Sequence, residues 1–171
     1  MKNFGVLVIF CSLGLWSCDN KSSQDEEDLY TGREIVYDLL QTSDFPISGN
    51  VTFKERTDNA VEVDVMLNGT DGNVFHPVHL HYGDINVPDA DIAFLLNDLK
   101  GSDGESVTVV KTLSDESTFT FDMLQEFDGS VKVHLGATGT DADIVIAGGN
   151  IGINQNDLST GRKKVATCKS E

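Results

Sequence analysis

His76-Pro77-Val78-His79-Leu80-His81-Tyr82-Gly83-Asp84 is the stretch on which both the fold and the chemistry turn. It carries three of the chain's four histidines, and the fourth, His134, sits in Val131-Lys132-Val133-His134-Leu135. Side chains of a strand alternate between its two faces. If residues 78–82 are a strand, His79 and His81 share one face, ~7 Å apart, and Val78, Leu80 and Tyr82 take the other. The same alternation over 131–135 separates Val131, Val133 and Leu135 from Lys132 and His134. Three histidines then lie on the polar faces of two strands whose apolar faces suit a core. Two readings stand at this point: a metal site on the outside of a sheet, or a solvated surface.

Outward from this stretch the chain is a series of short strands. Val61, Val63, Val65 and Leu67 alternate strictly with Glu62, Asp64 and Met66, the pattern of a half-buried strand. Val51 and Phe53 alternate with Thr52 and Lys54, after a turn over 45–50. A first strand is expected over 34–40 and others over 106–111, 131–135 and 143–153. Residues 92–99 are apolar enough for a strand or a short helix. Residues 122–126 have better helix than strand propensity, so one short helix is expected there. Gly148-Gly149 marks a bulge or a close backbone approach within a strand. Short strands parted by Gly, Asp and Asn turns imply an all-β antiparallel sandwich or flattened Greek-key barrel.

The net charge of −16, from 12 basic and 28 acidic residues, argues against nucleic acid and against adhesion to anionic lipid through charge. It suits a self-repelling surface or one that attracts cations. The three cysteines, Cys11, Cys18 and Cys168, do not form a disulfide framework, because two lie in the first 18 residues. Those residues have a basic Lys2 and an apolar run over 4–15, a targeting segment too short for a comfortable membrane span. Residues 19–32 are polar and acidic, with the run Asp25-Glu26-Glu27-Asp28, and suit an extended tether. The tail from 155 carries Arg162, Lys163, Lys164 and Lys169 and is read as a last edge strand guarded by charge.

Leu15-Trp16-Ser17-Cys18 resembles the lipobox of bacterial lipoproteins, in which the signal is cut before the cysteine and the cysteine is acylated. That resemblance implies a signal peptide over 1–17, a lipidated Cys18 with an acidic tether over 18–32, and a domain over 33–171. The expected location is the bacterial cell envelope, anchored by lipid in the outer membrane, on its periplasmic or its surface-exposed face. The membrane is then a partner through Cys18, and any protein or glycan partner is unspecified.

The domain carries a second resemblance. His-x-x-His-x-His followed by Gly-Asp resembles the first copper-ligand strand of copper/zinc superoxide dismutases and the equivalent strand of CHRD (chordin-type) domains. Residues 48–54 match the G-x-V-x-F strand of both families, and 60–69 match the next strand with its L-x-G turn. Residues 130–135 resemble the later V-x-V-H strand of CHRD domains, and 146–152 its closing strand. The similarity covers roughly 35–154. It implies copper-ligand positions at His79, His81 and His134 and a structural hydrogen-bonding role for His76. Neutral imidazoles suit copper or zinc, with water or a carboxylate such as Asp84 completing the shell.

The departures from the dismutase pattern are specific. No histidine lies between His81 and His134, so the bridging ligand and the zinc loop are missing. The dismutase arginine stands three residues before a disulfide cysteine; here Val165 holds that place before Cys168, and Arg162 is six before it. The reading is therefore a non-enzymatic binding or structural module, with copper or zinc as the candidate cofactor. The alternative is a degenerate copper-only dismutase-like enzyme. Acid-rich loops over 68–73 and 84–91 lack the spacing of an EF-hand and are better explained as turn chemistry.

Overall fold

The computed structural model describes residues 29–87, 89–153 and 155. Eight strands run in order as β1 (Tyr30–Gln41), β2 (Ser48–Arg56), β3 (Val61–Asn68), β4 (Phe75–Tyr82), β5 (Ile92–Lys100), β6 (Glu105–Val110), β7 (Asp128–His134) and β8 (Val145–Gly152). One helical turn, α1 (Phe121–Leu124), precedes β7, and a 3-10 turn (Gly139–Asp141) precedes β8. All pairings are antiparallel, and the sheet closes on itself in the order β1-β2-β3-β6-β5-β4-β7-β8. The chain is thus one all-β antiparallel barrel of a single continuous sheet. β4, β5 and β6 are successive neighbours, and β7 returns beside β4, which is a Greek key. That return sets the strand of His134 against the strand of His79 and His81.

The barrel interior is filled by the apolar faces that alternation predicts. Val51 and Phe53 of β2, Val61, Val63 and Val65 of β3, Val78 and Leu80 of β4, and Val131 and Val133 of β7 are all buried in one core. Tyr37 meets Phe53 edge to face with ring centroids 5.9 Å apart, the arrangement that aromatic quadrupoles favour. The single turn of α1 tucks Phe121 and Leu124 under one end of the barrel. Arg33 stacks on Phe121 at 4.7 Å and bridges Glu55 and Asp122.

The structure resolves the ambiguity of residues 92–99: they form β5. Their buried positions, Ala93, Leu96 and Leu99, recur every three residues, as a helix face would. Two bulges produce that spacing. Between the pairs His76↔Leu99 and Val78↔Leu96, and again between Leu80↔Phe94 and His81↔Ile92, β5 uses one residue more than β4. Each bulge resets which face is inward. β1 begins at Tyr30 rather than 34, so residues 30–32 of the expected tether lie in a strand, and β2 takes in Ser48–Asn50 of the expected turn over 45–50. Gly148 is a close backbone approach, because a Cβ there would stand 2.8 Å from both the Val131 carbonyl oxygen and Ile85 Cδ1.

The signal segment, Cys18, the acidic run over 25–28 and the tail beyond 155 lie outside the described residues. Among the described residues no helix is long and apolar enough to cross a membrane.

Candidate metal centre

The outer face of β4, β7 and β8 is not a solvated surface. Ser130, Lys132 and His134 of β7, His81 of β4 and Asn150 of β8 are all buried. The loop over 83–91 folds back across this face. Ile85, 1% exposed, seats on the bare backbone of Gly148, whose register partner is Lys132. Asn150 clamps the loop: its side-chain oxygen accepts from the Ile85 backbone N–H at 2.6 Å, and its amide donates to the Asp84 carboxylate. The other Asp84 oxygen accepts from the backbone and side chain of Asn86, both at 2.8 Å.

The far end of the loop reaches the histidines. The backbone N–H of Tyr82 donates to the Asp91 carbonyl at 3.0 Å, and His81 Nδ1 lies 2.9 Å from the Ala90 carbonyl oxygen. His134 Nδ1 lies 2.7 Å from the Ala142 carbonyl oxygen, in the turn before β8. A carbonyl only accepts, so both Nδ1 atoms must carry the proton and donate. Each Nε2 is then left with a bare lone pair. Both Nε2 atoms are buried with no hydrogen-bond partner. Burying a polar atom without a partner is costly, and here there are two such atoms on histidines of adjacent strands.

His79 completes the group. Its ring centroid is 4.8 Å from that of His134 and 5.6 Å from that of His81. One ligand atom from each of the three lies within 4.8 Å of the others. Bonds of ~2.0–2.1 Å to one ion would bring these nitrogens closer by on the order of an ångström. His79 is the ring that no hydrogen bond of the described residues holds, so it is the one able to make that adjustment.

Burial depresses the basicity of all three imidazoles. His79, His81 and His134 are each lowered to about 4, first by desolvation. The Lys132 charge adds to this at every one of them, and the histidines act on one another; the Ala90 and Ala142 carbonyls oppose it at His81 and His134. At neutral pH the group is three neutral imidazoles, the protonation state in which histidine ligates.

His76 and Asp84 stand outside the three-histidine group. The buried His76 points Nδ1 at the carbonyl oxygens of His134 and Leu135, at 3.2 and 3.0 Å, and ties the start of β4 to the end of β7. Asp84 serves the loop through Asn150 and Asn86. A cleft of about 1010 Å³ opens over the histidines, and its lining includes the apolar Pro77, Ile92, Leu95, Ala137 and Ala142.

Asn150 was not legible as a site residue. Its one sequence signal is an amide within the otherwise apolar and glycine run Ile146-Ala147-Gly148-Gly149-Asn150-Ile151. Comparison with protein-family models, with curated proteins and with solved structures found no match.

The depressed histidines make stability depend on pH. Each is lowered from an unfolded value of about 6.5 to about 4, so between those values the unfolded chain binds more protons. Metal-free protein is therefore expected to hold its full stability above about pH 6.5 and to lose it as pH falls from 6.5 through 4. Denaturant midpoints measured across that range check this, and a flat profile contradicts it. Asn150→Ala is expected to cost about 2–3 kcal/mol, since it removes the acceptor of the buried Ile85 N–H and one of the bonds to the Asp84 carboxylate. As the loop lifts, the His81 pKa should rise toward its ordinary value. An NMR titration that finds His81 unshifted in the variant shows that the loop holds without Asn150.

Proposed function

We propose that this chain is an envelope-anchored bacterial lipoprotein whose CHRD-like or superoxide-dismutase-like β-domain binds copper or zinc through His79, His81 and His134. The observation that carries the reading is the pair of buried, unpartnered Nε2 atoms of His81 and His134, both beside the His79 ring. Hydrogen-bonded carbonyls behind metal-binding imidazoles fix tautomer and ring orientation, and Ala90 and Ala142 provide such carbonyls. Copper or zinc bound there would supply a Lewis-acidic centre beside the cleft. Three imidazoles without thiolates suit copper(II) or zinc(II).

The role is binding rather than catalysis. The chain has four histidines, and His76 is committed to backbone carbonyls, so no fourth imidazole completes a dismutase copper shell. The net charge of −16 further disfavours a small anionic substrate. The anchor rests on the lipobox-like 15–18 and the acidic 19–28 that follows. Several acyl chains on Cys18 would hold the domain at a membrane stably, at about 0.8 kcal/mol per buried CH₂.

Calorimetric titration with copper(II) and zinc(II) is expected to show one ion per chain, lost in His79→Ala/His81→Ala. Heat that survives in that variant removes these histidines from the site. Metabolic labelling with a fatty acid is expected to mark the wild type and not Cys18→Ser; equal label in both excludes lipidation at Cys18.

A further inference from the structure

The cleft over the histidines has a charge pattern of its own. Its floor is His81 and His134, 1% and 2% exposed, with their Nε2 lone pairs unpartnered. Its lining is largely apolar and includes Leu95 and Ile92, both exposed. Its rim carries the carboxylates of Asp91 and Asp98, both exposed, with Asp89 as a third acidic residue of the lining. Among the described residues no lysine or arginine lines it.

Among the described residues, the cation that bears on the floor lies inside the protein. Lys132 is fully buried, has an interaction of its own, and places its positive charge close enough to act on all three histidines. It works against a metal dication at short range. The carboxylates that line the cleft, Asp91 and Asp98 among them, are the attraction nearest to an entering cation. Like charges at the mouth of a cleft with low-dielectric walls concentrate the field along it and raise the local concentration of the opposite ion.

We propose that the cleft is a cation port: Asp91 and Asp98 draw a hydrated divalent cation from solution, between the apolar walls, onto His79, His81 and His134. This rests on the metal reading above and deepens it. It makes the chain a collector of dissolved cations, and it gives the two carboxylates a role in the rate of capture rather than in the bound shell. Their exposure places them where dissolved salt screens them, so the effect must fade as salt rises.

The test is stopped-flow binding of cobalt(II), followed by its absorbance, to the full-length chain in detergent, with His79→Ala/His81→Ala as the blank. Asp91→Asn/Asp98→Asn removes the rim charges, and Glu34→Gln/Glu105→Gln, on β1 and β6, removes the same net charge elsewhere. At ~10 mM salt, the rim variant is expected to associate about tenfold more slowly than wild type, with its dissociation rate unchanged. At ~0.5 M salt the two should come within about twofold. The Glu34/Glu105 variant should stay near the wild-type rate throughout. A rim variant as fast as wild type, or slowed no more than the Glu34/Glu105 variant, overturns the port and leaves the metal site standing. Wild-type uptake no greater than the blank overturns the metal site and the port together.

Discussion

Two backbone carbonyls decide what the histidines of this barrel can do. Ala90, at the end of the 83–91 loop, accepts the Nδ1 proton of His81, and Ala142, in the turn before β8, accepts that of His134. A histidine on a strand face is chemically undecided until one nitrogen is engaged. Once Nδ1 donates, Nε2 has only a lone pair to offer. Because both rings are buried, neither lone pair is answered by another group of the described residues. The tautomers follow from these two contacts, and the depressed basicity follows from the burial around them, which outweighs the opposing effect of the two carbonyls.

The burial is itself built by the loop. A barrel strand normally shows its outer face to water, and β7 would present Ser130, Lys132 and His134 there. Ile85 seated on Gly148, and Asn150 holding both Ile85 and Asp84, bring the loop down over that face. The side chain missing from Gly148 makes the room, and the amide of Asn150 satisfies the backbone donor that the close approach would otherwise strand. At the other end of the loop the Tyr82 N–H donates to the Asp91 carbonyl, next to the Ala90 carbonyl that orients His81.

Much of this fold is written in period-two alternation. β3 is legible residue by residue, because Val61, Val63, Val65 and Leu67 face one core without interruption. β5 is not, because two bulges give its buried residues a spacing of three that mimics a helix. Closure into a barrel is hard to see in sequence, since it rests on few long-range pairs. β1 meets β8 through Leu40 and Gln41, and β5 meets β6 through Lys100 and Glu105. At the site, alternation brought His79, His81 and His134 to one face and left open whether that face was wet. The answer lay in a loop, whose path depends on the Asn150 amide and on Gly148, and neither carries a period.

Three histidines close enough together to hold a metal ion stand beside an acid-lined cleft. The central claim is that the protein's own backbone holds His81 and His134 ready, before any metal arrives. Long-range ¹H–¹⁵N NMR of the imidazoles in metal-free protein at pH 7 tests it most directly. The account predicts that both rings carry the proton on Nδ1 and an unprotonated Nε2, and that zinc(II) shifts the Nε2 resonances alone to a large degree. Imidazolium rings at that pH, or a proton on Nε2 of either histidine, would contradict it.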